Sequence, residues 1–299
     1  MHEGEARCYG PDTMCTILIL RHVHPEWPLV IAANRDELYE RPTSGPQVLP
    51  GSPRIIVPGL DSVRGGTWMG FTDTGLFVGL TNQRGSMVQG VAPRSRGEVV
   101  LEALRAGSLE AVERYLDTVD PTTFNPFNLL YGDAQQLRVA YARPAMAQLI
   151  REDVPTGIHV LANDVLDTPA LPKVERARVL AAEHAQRPWP ELAGKLQELL
   201  ADHHLPPDEA HPELPPGAPF SREQARQLQA LCIHTPAYGT RSSTLLALAP
   251  GRVGHFLASE LPPCQRAFRD LRSLLAPQAG DCPPHPGEHA LSEPSKRVT

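Results

Sequence analysis

The chain has 299 residues, 41% of them hydrophobic and 21% charged, which is the composition of a folded protein with a sizeable core. Its formal net charge of −6 offers no basic field to a nucleic acid or an anionic lipid surface. No apolar run approaches the roughly 20 residues of a membrane span, and five scattered cysteines without a C-x-x-C pair argue for a reducing, cytoplasmic setting over a disulfide framework or a four-thiolate zinc site.

Residues 1–14 are polar and aperiodic, and are read as a leader, a mis-set start or a removed segment. Cys15 to Leu20 is apolar and β-branched and predicts a buried strand. Leu29 to Ala33 predicts a second, with a hairpin loop over His24 to Pro28. Ile55 to Val57, Thr67 to Phe71 and Leu76 to Leu80 extend the strand-rich region. Ser95 to Arg105 predicts a helix, and Ser108 caps a second one carrying Leu109, Val112, Tyr115 and Leu116. Strands return at Asn128 to Tyr131, Leu137 to Tyr141 and His159 to Ala162, followed by helices over Lys173 to Ala185 and Trp189 to Ala201. Residues 204–220 form a proline-rich surface loop, and Ser221-x-x-Gln224 opens a short helix with a capping box. Ser243 to Leu248 and Val253 to Ala258 predict a hairpin around Pro250-Gly251. Arg266 to Leu275 predicts a last amphipathic helix, and residues 276–299 a disordered tail. This order favours an α+β layered domain over residues 15–275 rather than a doubly wound parallel sheet. The glycines of Gly65 to Gly70 are wrongly spaced for a phosphate loop.

The start carries the most chemistry. If translation begins at Met14 and that methionine is removed, Cys15 presents a thiol and a free α-amine in one residue. The amine, with a reference pKa of about 8, can then serve as base for its own thiol. Taken alone, a buried strand cysteine is the commoner role. Asn34-Arg35-Asp36-Glu37 leaves the second strand as four polar residues in a row. There Arg35 can favour a thiolate and Asp36 can orient an amine. Asn82, Asn163 and Arg241 sit at other strand ends, where an Asn side chain suits an oxyanion hole. Singly, these read as turn caps or surface ion pairs.

Together, Met14-Cys15, Asn34 to Glu37, Gly65-Gly66-Thr67-Trp68, Leu80-Thr81-Asn82, Ser95-Arg96-Gly97, Leu161 to Asp164 with Leu166 to Pro169, and Tyr238 to Thr244 resemble the NRDE family, which includes the Transport and Golgi Organization protein 2 homologues. The resemblance covers roughly residues 14–260 in the right order. It implies a four-layer αββα sandwich of antiparallel sheets, like the N-terminal nucleophile hydrolases that cleave linear amides. It also implies a site of Cys15, Arg35, Asp36, Asn82, Asn163 and Arg241. Arg35 and Asp36 are adjacent here, a departure from those hydrolases that favours Asp36 as the matching residue.

Two functions follow from the resemblance. The first is a cysteine amidohydrolase acting on a small, acylated substrate, in which Asp36 positions the amine, the arginines order the site, and Asn82 and Asn163 donate to the oxyanion. It needs no metal or organic cofactor. The second is a non-catalytic carrier of haem or an acyl-lipid in the same pocket, with Cys15, His159 or His234 as candidate haem ligands. His203, His204 and His211 belong to a solvated loop on this reading, and Trp68 is a core or pocket-wall aromatic.

Overall fold

The structure, a computed structural model, describes residues 15–84, 93–143, 145–208 and 221–276. The leader 1–14, residues 209–220 of the proline-rich loop, and residues 277–299 of the expected tail lie outside the described residues. In chain order the strands are β1 (Thr16–Arg21), β2 (Leu29–Leu38), β3 (Gln47–Leu49), β4 (Ile55–Val57), β5 (Met69–Thr72), β6 (Phe77–Asn82), β7 (Phe127–Gly132), β8 (Leu137–Ala142), β9 (Ile150–Asp153), β10 (Gly157–Leu161), β11 (Tyr238–Ala249), β12 (Arg252–Ser259) and β13 (Arg269–Asp270). The helices are α1 (Arg96–Ala106), α2 (Leu109–Leu116), α3 (Pro172–Ala182), α4 (Trp189–Leu200) and α5 (Arg222–Gln227).

Two antiparallel sheets result, one in the order β10-β1-β2-β11-β12-β13 and the other β3-β4-β5-β6-β7-β8-β9. Period-2 alternation gives each strand two faces, and both faces are apolar. Ile17, Ile19, Leu29, Ile31, Ala33 and Leu246 of the first sheet pack against Met69, Phe71, Phe77, Leu130 and Val139 of the second. The opposite face of the first sheet, with Leu18, Val30, Ala32 and Leu245, buries Val174, Ala177, Leu192 and Leu196 of α3 and α4. The far face of the second, with Val78, Leu80 and Leu129, buries Val99, Val100, Leu104 and Val112 of α1 and α2. The layers are therefore helix, sheet, sheet, helix, the αββα sandwich implied by the resemblance.

Most predicted elements appear within a residue or two. Ser108 Oγ accepts from the Ala111 amide at 3.3 Å, and Ser221 and Gln224 form the capping box. Four differences carry information. β2 does not leave the core at Ala33 but runs to Leu38, because its ladder with β11 continues through Asp36 opposite Thr240 and Glu37 opposite Gly239. β6 and β11 likewise take in Thr81-Asn82 and Tyr238 to Ser242. β3 and β9 are short edge strands, and charged Arg151-Glu152-Asp153 disguises β9 in the sequence. The helix expected over Arg266 to Leu275 is replaced by β13 and a 3-10 turn at Arg272–Leu275. Leu271, Leu274 and Leu275 pack on the core between the sheets, and the Arg272 amide donates to Asp270 Oδ1.

Asn34 shows why a polar residue sits mid-strand. It is fully buried, and its Nδ2 donates to the carbonyls of Leu200 at 2.8 Å and Leu231 at 2.7 Å. Its Oδ1 accepts from Ser243 Oγ at 2.6 Å. It thus ties β2 to the end of α4 and to the segment after α5. Asn34→Ala orphans two buried carbonyls and a hydroxyl. The expected loss is about 3 kcal/mol, read as a lower urea midpoint at unchanged m-value.

Candidate active site

Cys15 immediately precedes β1, in which Thr16 pairs with Asn34, so Cys15 stands at the Arg35 end of β2. Its side chain belongs to the inner core with Ile17 and Ile19 and is 7% exposed. It borders a cavity of about 260 Å³ between the two sheets, whose walls also include Arg35, Asp36, Glu37, Trp68 and Asn82. Arg41, Asp61, Arg64 and Arg94 surround it from the connecting segments, and Arg96 from the first turn of α1. Trp68 is thus both core and pocket wall.

Alternation along β2 divides the four polar residues. Arg35 and Glu37 follow Ile31 and Ala33, whose side chains lie between the sheets. Asn34 and Asp36 follow Val30 and Ala32, whose side chains face α3 and α4. Arg35 Nη2 lies 3.6 Å from Glu37 Oε2, which is 3.7 Å from Arg41 Nε, and Arg41 Nη2 meets Asp61 Oδ2 at 2.5 Å. This chain of charges fixes Arg35 beside the thiol. On the other side, Asp36 Oδ1 accepts from Thr240 Oγ1 at 2.6 Å. Asp36 Oδ2 is buried and makes no hydrogen bond among the described residues, nor does Lys173 Nζ in the first turn of α3.

The electrostatics follow from burial. Desolvation lifts the Asp36 carboxyl from its usual range to about 7, against the opposing pull of Lys173, Thr240 and Arg35. Desolvation likewise lowers Lys173, with Asp36 and Cys15 acting to restore it. Burial, reinforced by the Asp36 charge, pushes the Cys15 thiol up to about 12, while the Asp36 backbone and Arg35 favour the thiolate. As an internal residue, then, Cys15 holds its proton at neutral pH.

Of the six expected site residues, Cys15, Arg35, Asp36 and Asn82 border the cavity. Asn163 lies one hydrogen bond behind. Its Nδ2 donates to the Asn82 carbonyl at 2.9 Å, and its own carbonyl accepts from the Arg84 amide at 2.9 Å. Thr81 Oγ1 and Asn128 Nδ2 both donate to the Ala162 carbonyl, so the 80–82 and 161–164 motifs are stitched together across the two sheets. Arg241 is the extra residue of a bulge, since Thr240 pairs with Asp36 and Ser242 with Arg35. Its Nη1 donates to the carbonyls of Leu38, Tyr39 and Arg41, bracing the turn that carries Arg41 toward the cavity.

The glycine motifs also have a place here. A Cβ on Gly66 would lie 2.6 Å from the Gly97 carbonyl carbon, and one on Gly97 2.9 Å from the Thr67 amide nitrogen. The Gly65 to Trp68 and Ser95 to Gly97 segments therefore pack backbone to backbone at the cavity wall. Gly66→Ala forces them apart, with an expected cost of about 1–3 kcal/mol. A thermal melt of that variant matching the unsubstituted protein would contradict this contact.

A comparison of the chain with protein families matches residues 14–260, the span that contains every motif meeting at this cavity, to Transport and Golgi organisation 2. The chain belongs to the Transport and Golgi organisation 2 family. It is 31% identical to the Bos taurus Transport and Golgi organization protein 2 homolog over 247 residues, covering 75% of this chain and 84% of the relative. The Homo sapiens homolog is 28% identical over 248 residues, with the same coverage. Among solved structures, conjugated bile acid hydrolase from Clostridium perfringens (variant R18L) aligns with TM-score 0.48 and 12% identity, over 87% of this chain and 93% of that one. The Caenorhabditis elegans N-acylethanolamine-hydrolyzing acid amidase ortholog aligns with TM-score 0.45 and 11% identity, over 79% and 93%.

In this member of the Transport and Golgi organisation 2 family, three polar residues at the site escaped the sequence reading. Lys173 follows the Leu166 to Pro169 motif by four residues, but a lysine in the first turn of an amphipathic helix gives no sign of being 1% exposed. Thr240 lies inside the Tyr238 to Thr244 motif, and Glu37 completes the Asn34 to Glu37 run. Motif membership was the available signal for both.

Proposed function

We propose that the chain is an N-terminal cysteine hydrolase of a linear amide bond, active once Cys15 carries a free α-amine. The observation that carries this reading is the placement of Cys15 at the end of β1, bordering the cavity beside Arg35 and Asp36. An internal Cys15 with its thiol near 12 is a poor nucleophile. A free amine changes that, because it supplies a base within the same residue. The thiol proton passes to the amine, the sulfur attacks the amide carbon, and the proton then leaves with the departing nitrogen. Water hydrolyses the resulting thioester and regenerates the thiol. Asp36, held by Thr240, positions the amine, and Asn82 is the candidate donor to the tetrahedral oxyanion. Asn163 and Arg241 act as positioning residues, through the Asn82 carbonyl and the Leu38 to Arg41 turn.

The cavity lining also favours a substrate class. Arg35, Arg41, Arg64, Arg94 and Arg96 outnumber Asp36, Glu37 and Asp61 there, which suits an amide bearing a carboxylate or another anionic end. The carrier reading finds less support. His159 has both ring nitrogens engaged, Nδ1 with Asp167 Oδ2 at 2.6 Å and Nε2 with the Pro155 carbonyl at 3.0 Å, so it is not poised to ligate haem. The test is to prepare two chains, one beginning at Cys15 and one retaining residues 1–14, and assay both on N-acyl amino acids and their neutral amide counterparts. Turnover of the carboxylated amides by the Cys15 chain alone is expected. Equal activity of both chains, or of neither with tight haem binding by both, overturns the proposal.

A further inference from the structure

Behind the Asp36 side of the cavity, three segments distant in sequence converge. His203 follows α4, Cys232 and His234 follow α5, and Cys264 follows β12. One donor atom from each lies within 4.8 Å of all the others. Cys232 Sγ is 3.7 Å from Cys264 Sγ and 3.7 Å from His234 Nε2, and His234 Nε2 is 3.2 Å from Cys264 Sγ. Tetrahedral coordination with Zn–S of about 2.3 Å and Zn–N of about 2.0 Å requires S···S near 3.8 Å and S···N near 3.5 Å. The sulfurs and the His234 nitrogen already stand at those separations.

The orientation of His203 agrees. Its Nδ1 lies 3.0 Å from the Cys232 carbonyl. A carbonyl only accepts, so Nδ1 carries the hydrogen and Nε2 keeps its lone pair for a ligand. A histidine whose second nitrogen is fixed by a backbone carbonyl is the usual outer partner of a metal site. Cys232 is buried while His203, His234 and Cys264 are exposed, which leaves an ion a route of entry from solvent.

We propose that His203, Cys232, His234 and Cys264 form a four-ligand tetrahedral site for a zinc-class divalent cation. Two cysteines and two histidines fill the tetrahedron without an open position, so the ion is structural. Binding releases the two thiol protons and leaves a neutral Zn(II) dithiolate. The ion joins the end of α4, the turn after α5 and the loop after β12. It also reaches the cavity. Ile233, between two of the ligands, donates its amide to Thr240 Oγ1 at 2.9 Å, and that same hydroxyl donates to Asp36.

The test uses the full chain, purified under reductant and desalted, with zinc measured by plasma mass spectrometry. About one zinc per chain is expected, falling to background in Cys232→Ser/Cys264→Ser and unchanged in His204→Ala, whose side chain lies outside the cluster. Cobalt(II) in place of zinc is expected to give the intense visible bands of a tetrahedral ion together with thiolate-to-cobalt charge transfer. Cys264→Ser alone, at an exposed position, is expected to weaken both while keeping the circular dichroism of the unsubstituted chain. A strong chelator is expected to lower the melting temperature of the unsubstituted chain and leave the double variant unmoved. Metal at background in the reduced protein overturns the proposal. So does binding that survives the double substitution, or a cobalt spectrum without charge transfer.

Discussion

Cys15→Ala in the chain beginning at that position is expected to lower turnover of a carboxylated amide by on the order of 10⁴-fold or more, the scale seen when a covalent nucleophile is removed. Cys15→Ser is expected to fall almost as far, since a hydroxyl keeps the geometry but ionises far less readily beside the same amine. The folded state should survive both changes, because one small side chain at the end of β1 contributes little to a core built on Ile17, Ile19, Phe71 and Phe77. Melting temperatures therefore separate loss of chemistry from loss of fold. Either variant retaining the parent's kcat/KM at an unchanged melting temperature would remove the nucleophile from the mechanism.

Asp36→Asn carries the second large effect, on stability as a function of pH. In the chain with Cys15 internal, the Asp36 carboxyl is raised from 3.8 to about 7 in the folded state. Between those values the folded protein binds more protons than the unfolded chain, so this group makes stability fall as pH rises from about 4 to about 7, after which the penalty is constant. Asp36→Asn abolishes that titration. The urea-unfolding free energy of the parent minus that of Asp36→Asn should thus decline across the window, and a flat difference would contradict the assignment. At pH 8 the variant also leaves Lys173 without its anionic neighbour, and activity of the Cys15 chain should drop because nothing then orients the amine.

The layered fold was largely legible because strands buried on both faces read as short continuous apolar runs, and the caps at Ser108 and Ser221 are local chemistry. The failures have physical causes. Asn34 to Glu37 looked like an exit from the core because polarity normally marks solvent. Here it marks a strand that continues past the end of its apolar packing and lines a cavity. Phe268, Leu271, Leu274 and Leu275 have helical spacing, yet each apolar group finds its place without a helix. The candidate site residues were legible as motifs, but their division into cavity-lining and bracing groups was not, because a hydrogen bond such as Asn163 to Asn82 joins two sheets and leaves no local trace. The thiol partners of His203 were invisible for the same reason. Cys232 and Cys264 lie 29 and 61 residues beyond His203 in the chain.

The walls of the cavity come from different kinds of structure. Cys15 leads into β1, and Arg35 and Asp36 sit on its neighbour β2, whereas Arg41, Asp61, Arg64 and Arg94 sit on connections between strands and Arg96 opens α1. On the function proposed above, chemistry and selectivity are therefore separable in inheritance. A descendant can exchange the arginine collar, and with it the charge of the molecules admitted, through changes that leave every rung of the β1–β2 ladder in place.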